Sequence, residues 1–143
     1  MLKGVDPILG PELLAILRAM GHGDEIVIAD ANFPAAANAR TLVRADGVDA
    51  VRMTQAIASL MPLDDFTPAA AFRMAIVDDP KSVPDIVATF ANTLAKNGYR
   101  GPIEAIERSA FYERARRAFA IVATGETRLY GNLILKKGVI RPG

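Results

Sequence analysis

The 143-residue sequence contains no cysteine, no tryptophan and a single histidine. Without thiols it can form no disulfide, no thiolate metal site, no iron–sulfur cluster and no cysteine nucleophile. With one imidazole, no site needing two or three histidines can be built within one subunit. Neither sign of charge is in excess. The 17 basic and 16 acidic side chains leave a formal net charge of +1, which gives no basis for a nucleic-acid or acidic-membrane partner. No apolar run approaches the ~20 residues of a membrane-spanning helix. The opening Met1 to Pro7 lacks the apolar core and small-residue cleavage site of a secretory signal, so a soluble cytoplasmic protein is expected. The chemistry open to the chain is that of carboxylates, hydroxyls, amides, arginines and one imidazole.

What is present suffices for one domain. Domains usually take roughly 100–200 residues, and the 51% hydrophobic content supplies a core without staples. No repeat, low-complexity tract or long linker divides the chain. Gly10-Pro11-Glu12 reads as a helix start, followed by Leu13, Ile16, Leu17 and Met20 at helical spacing. Gly21-His22-Gly23 ends it, and Glu25 to Ala29 is a β-branched run that predicts a buried strand. Ala31 to Asn38 reads as a loop, and Thr41 to Val43 as a weaker strand. Asp49 is placed to cap a helix with Met53, Ala56, Ile57 and Leu60 on its inner face, up to Pro62. A strand over Ala71–Val77 precedes a helix over Val83–Lys96, which carries Val83, Ile86, Val87, Phe90 and Leu94. A strand over Ile103–Ile106, a helix over Phe111–Ala118 and strands over Ala118–Ala123 and Asn132–Lys136 complete the pattern. The alternation predicts a single α/β domain over residues 1–143, with helices on both faces of a mixed central sheet.

Several residues are candidates for chemistry, each with a plainer reading beside it. His22 lies between two glycines, which permit close approach of backbone or ligand. It can equally be a helix-end residue that complements the macrodipole. Asp30 stands where a buried strand exits, the end at which ligands of α/β sheets tend to bind; an Asx-turn cap accounts for it as well. Arg108 lies at the entrance of a helix after a strand. Tyr130-Gly131-Asn132 offers a hydroxyl, a permissive backbone and an amide together, or simply a hairpin turn. The arginine-rich stretch from Arg108 to Arg117 is interleaved with Glu113 and reads as a solvated helix face. Gly21 to Gly23 is no dinucleotide fingerprint, because it precedes its strand and the third glycine is missing.

Longer stretches add a resemblance. Gly21-His22-Gly23-Asp24-Glu25-Ile26-Val27-Ile28-Ala29-Asp30-Ala31-Asn32-Phe33-Pro34-Ala35, Arg44-Ala45-Asp46-Gly47, Phe111-Tyr112-Glu113-Arg114-Ala115, Phe119 to Glu126 and Tyr130 to Gly138 together resemble the family of D-ribose pyranases and L-fucose mutarotases. The likeness runs from Leu2 to Gly138 and is loosest between Pro62 and Pro102. Asn32-Phe33-Pro34-Ala35 and Phe111 to Ala115 are closer to the fucose branch. The resemblance implies a cofactor-free and metal-free sugar mutarotase, with His22 as general acid and Asp30, Arg108, Tyr130, Gly131 and Asn132 as substrate-binding residues. It also implies a homo-oligomer, a decameric ring with sites near subunit contacts. Ser109 departs from the family pattern, which has an aromatic after the arginine, and bears on which sugar is taken. Two other functions stay in view: ring-form interconversion of D-ribose, and sugar binding without turnover.

Overall fold

The computed structural model describes residues 1–143. Six strands form one mixed sheet in the order β2-β5-β1-β6-β3-β4. They are β1 (Glu25–Ala29), β2 (Leu42–Ala45), β3 (Ala71–Met74), β4 (Ile103–Ile106), β5 (Ala120–Thr124) and β6 (Leu133–Lys136). The β1–β5, β2–β5 and β3–β4 pairs are parallel, while β6 runs antiparallel to both β1 and β3. Five strands therefore point their carboxyl ends the same way, and β6 starts from that end. The helices are α1 (Pro11–Ala19), α2 (Ala35–Asn38), α3 (Ala50–Ala58), α4 (Asp85–Lys96) and α5 (Arg108–Arg117).

Strand alternation divides the core between the two faces. Ile26 and Ile28 of β1 join Leu13, Met53, Ile57, Phe90 and Leu94 under α1, α3 and α4. Val27 and Ala29 join Phe33, Phe72, Phe111 and Ala115 under α2 and α5. Helices thus cover both faces, as the alternating pattern implies.

Local chemistry sets most element ends. Pro11 is preset for the first turn of α1, and the Lys137 ammonium takes up the orphan carbonyls of Leu17 and Met20 at its far end. The Asp49 carboxylate accepts from Arg52 N at 2.7 Å, capping α3 as predicted. Four expectations differ. Ala35–Asn38 is a short helix inside the predicted loop, because three alanines follow a proline that starts the turn. Helix α5 begins at Arg108 and not at Phe111, since Glu107 caps it through Ser109 N. Strand β3 stops at Met74, where pairing with β4 ends. Leu60 and Val83, expected on inner helix faces, lie beyond α3 and before α4 and are exposed.

Candidate active site

Four of the predicted residues meet at the carboxyl end of β1, in a cavity of about 390 Å³ that Asp30, Arg108, Tyr130 and Asn132 line together. Asp30 follows the last residue of β1 and Asn132 precedes the first residue of β6. The antiparallel β1–β6 pairing makes the two side chains neighbours. Asn132 Oδ1 accepts from Asp30 N at 2.7 Å, and Asn132 Nδ2 donates to Asp30 Oδ2 at 2.9 Å. Asn32 N donates to the other carboxylate oxygen at 3.0 Å. Both side chains are buried, Asp30 with 5% and Asn132 with 4% of its surface exposed. Burial raises the Asp30 pKa above the ordinary carboxylate value, and the amide donors of Asn32, Phe33, Asn132 and Gly131 pull against it. No cation is among its partners.

Arg108 is the first residue of α5, and its guanidinium lies 5.4 Å from the Tyr112 ring centroid. Tyr112 in turn packs on Phe33 at 5.3 Å. The cavity therefore has an aromatic flank beside its polar floor. Tyr130 has left-handed backbone, φ 59°, an uncommon state for a residue with a Cβ. Its hydroxyl accepts from Val77 N at 3.1 Å, tying this turn to the segment after β3. Gly131 is required by space: a Cβ there would stand 2.7 Å from Glu126 Cγ and 3.0 Å from Arg128 O.

Glu126, which the residue-by-residue reading passed over, braces this end from behind. Its buried carboxylate accepts from Ala50 N and from the Arg128 backbone and guanidinium, and its carbonyl accepts from Ala31 N. The Arg128 hydrogen bonds hold its pKa below the ordinary value. The signal that could have found it is an acid within an otherwise apolar strand exit, Thr124-Gly125-Glu126.

His22 lies elsewhere. It belongs to the turn between α1 and β1, at the amino end of the strand whose carboxyl end holds Asp30. Five strand residues separate the two ends, roughly 13 Å at about 3.3 Å per residue. Gly23, with φ 87°, lets the chain turn there, and its N–H donates to Lys137 O at 2.9 Å. His22 Nε2 lies 2.8 Å from Asp64 Oδ1, and its ring packs on Phe66 at 4.9 Å. The imidazole is 44% exposed, whereas the Asp64 side chain is 1% exposed. The Asp64 carboxylate also accepts from Thr67 Oγ1 at 2.6 Å and Phe66 N at 3.2 Å. The Thr67 hydroxyl first, and then His22, hold its pKa well below the carboxylate range against the cost of burial. Neither Asp64 nor Thr67 was a sequence candidate, because 42 residues separate Asp64 from His22.

The remaining candidates have structural partners. Glu25 pairs with Arg114, whose guanidinium also covers the Phe72 ring at 3.7 Å. Arg117 pairs with Glu113 and Arg116 donates to Asn38, so the basic face of α5 is engaged within the chain. Ser109 is exposed and donates to Glu107 at 2.6 Å, at the helix end and away from the cavity wall. No three carboxylate, imidazole or thiol side chains cluster as a metal site would require.

The model of the RbsD / FucU transport protein family matches residues 3–140. A fucose mutarotase from Danio rerio is 48% identical over 148 aligned positions, covering 99% of this chain and 96% of its own length. Fucose mutarotase from Homo sapiens is 47% identical, covering 97% and 94%. Among solved structures, a fucose mutarotase from Streptococcus pneumoniae in complex with L-fucose superposes with TM-score 0.90 at 43% identity, covering 98% of this chain and 100% of that one. Bacillus subtilis RbsD in complex with D-ribose superposes with TM-score 0.77 at 25% identity, covering 99% and 100%.

Proposed function

We propose, from the premise that this chain belongs to the RbsD / FucU transport protein family, that it is an L-fucose mutarotase. The substrate is a reducing monosaccharide, and the reaction interconverts its α and β anomers through the open-chain aldehyde. The observation that carries this reading is the cavity where Asp30, Arg108, Tyr130 and Asn132 converge, in a chain 43–48% identical to fucose mutarotases. The likeness to the ribose-complexed relative is weaker, at 25%.

The chemistry suits the residues. Ring opening delivers a proton to the ring oxygen while the anomeric hydroxyl loses one, and nothing passes to a cofactor. Imidazoles as a class exchange protons near neutral pH, and a positioned acid typically contributes ~10²–10⁴-fold. His22 is the general acid in this scheme. Asp30 accepts hydrogen bonds from sugar hydroxyls, and Arg108 presents its planar fork of donors to hydroxyl oxygens. Tyr130 offers its phenol and Asn132 its amide, while Gly131 lets the backbone come close.

His22 and the cavity lie at opposite ends of β1, so one subunit does not bring its own imidazole to its own sugar. A second copy supplies it. That separation supports a homo-oligomer with sites at subunit contacts, and we take the assembly to be a closed, decameric ring in the cytoplasm. Exposed Phe66 beside His22 and exposed Leu129 beside Tyr130 give each end an apolar patch for such a contact.

NMR magnetisation transfer between the two anomeric protons of L-fucose tests the activity. Catalysed α–β exchange is expected. Exchange of D-ribose between pyranose and furanose forms, without faster fucose exchange, would assign the chain to the other branch. Tight fucose binding at the uncatalysed exchange rate would make it a binding protein.

A further inference from the structure

Resting on the proposed mutarotase reading, with His22 as the acid, we infer that Phe66 determines specificity for the substituent at C5 of the sugar. Its ring, contributed together with His22 by one copy, packs on the methyl group of a 6-deoxy sugar held in the cavity of another. The chain has six phenylalanines. Phe33, Phe72, Phe90 and Phe111 are buried and Phe119 packs against the core, whereas Phe66 is 62% exposed. A single exposed apolar residue carries no meaning by itself. This one is held in place beside the acid.

Phe66 N donates to Asp64 Oδ1 at 3.2 Å, which fixes the backbone that carries the ring. The ring centroid lies 4.9 Å from that of His22, the two planes tilted by 51°. The Arg141 guanidinium lies 5.0 Å from the same centroid. Arg141 is itself fixed by hydrogen bonds to both oxygens of Asp65, at 2.8 and 3.0 Å. The ring is thus braced by two neighbours and still open to whatever meets this end of the sheet.

The reaction places the methyl there. To protonate the ring oxygen, the imidazole must lie within hydrogen-bond reach of it. That oxygen is bonded to C1 and C5, and in a 6-deoxyhexose C5 carries the methyl. The methyl therefore sits next to the atom that His22 must reach, and the apolar ring beside His22 is Phe66. Contact between them removes apolar surface of both from water. A C6 hydroxyl in the same place would find no free partner. Asp65 and Arg141 bond each other, and the Asp64 oxygens are taken up by His22, Phe66 N and Thr67. Desolvating a hydroxyl without a hydrogen bond is unfavourable. A sugar with hydrogen at this position leaves the ring uncovered and gains nothing from it.

Three sugars that differ only at this position test the assignment: L-fucose, L-galactose with its C6 hydroxyl, and D-arabinose, whose pyranose form has hydrogen in place of the methyl. Anomer exchange is followed by NMR magnetisation transfer at concentrations below KM, so that the rate reports kcat/KM. The wild-type protein should prefer L-fucose to both others. Phe66→Ala should slow L-fucose exchange by about 10-fold, the lower end of what one methylene in an apolar pocket commands, and leave D-arabinose within about twofold. Phe66→Tyr, which keeps the ring, should keep the preference for L-fucose over D-arabinose. A weakened subunit contact in Phe66→Ala would slow both sugars alike, so the ratio between them isolates the methyl. An unchanged fucose-to-arabinose ratio in Phe66→Ala would overturn the assignment. Collapse of that ratio in Val77→Ala instead would overturn it too, by putting the methyl on the cavity's own wall. Failure of the mutarotase reading is distinguishable, because the wild-type protein would then speed exchange of none of the three sugars.

Discussion

Two aspartates, Asp30 and Asp64, mark the two ends of one sheet, and their pKa values move in opposite directions. Both are buried, with 5% and 2% of their surfaces exposed. Asp30 meets amides only, and burial dominates, raising its pKa. Asp64 meets a hydroxyl, an imidazole and an amide, and these outweigh burial, lowering it. Burial alone therefore does not decide which way a carboxylate's pKa moves; the donors do. In the proposed function the carboxyl end of β1 holds a neutral polyhydroxyl ligand, while the amino end carries the imidazole, 2.8 Å from Asp64. The sheet keeps these two ends apart within a subunit, and in the proposed function a second copy joins them.

The largest effect is expected at the amino end. His22→Ala should lower L-fucose anomer exchange by at least ~10²-fold and leave sugar affinity, by titration calorimetry, within a few-fold of wild type. A large loss of affinity with exchange retained would reverse the division of labour. At the carboxyl end the pattern inverts. Asp30→Asn replaces a carboxylate acceptor by an amide and should weaken fucose binding by roughly 10–10²-fold, the scale of one hydrogen bond to a charged group at about 1.5–3 kcal/mol.

Stability against pH sharpens the contrast by its sign. The lowered pKa of Asp64 contributes stability above its ordinary value of 3.8, lost as pH falls below that value. The raised pKa of Asp30 acts the other way, its contribution being complete below 3.8 and lost as pH rises through the raised value. In urea unfolding from pH 6 to pH 2, the gap between wild type and Asp64→Asn should therefore narrow toward acid. The gap between wild type and Asp30→Asn should shift in favour of the variant as pH rises. Parallel pH profiles for the two variants would mean that the carboxylates are equivalent. The smallest effect is expected at Ser109, which faces solvent at the start of α5 and bonds Glu107. Ser109→Ala should leave fucose exchange unchanged and Tm within about 2 °C.

Much of this was legible in the residues. Glu25 to Ala29 is a buried strand to the residue, because its β-branched run lies between strong punctuation. Asp49 caps α3 because an acid before an apolar helical stripe has few other roles. The grouping of Asp30 with Asn132 was legible only through family resemblance, since 102 residues separate them and antiparallel pairing brings them together. The place of His22 followed from chain order once Glu25–Ala29 was a strand, yet its consequence for the site emerges only when the far end of that strand is seen to carry the cavity. Asp64, Thr67 and Glu126 were not legible as site residues. His22 lies 42 residues from Asp64 and Ala50 76 residues from Glu126, and for Asp64 and Thr67 nothing local distinguishes a carboxylate beside a histidine from one in solvent.

The central claim is that the imidazole of one copy completes the sugar site of another. Co-expression of His22→Ala and Asp30→Asn chains, assayed at fucose concentrations well below KM, where each alone exchanges anomers only weakly, tests it directly. In randomly mixed assemblies half the imidazoles and half the cavities are intact, so about a quarter of the composite sites should combine both. Fucose exchange is expected to recover to about that fraction of wild type. Mixed assemblies with no more activity than their parents would contradict it.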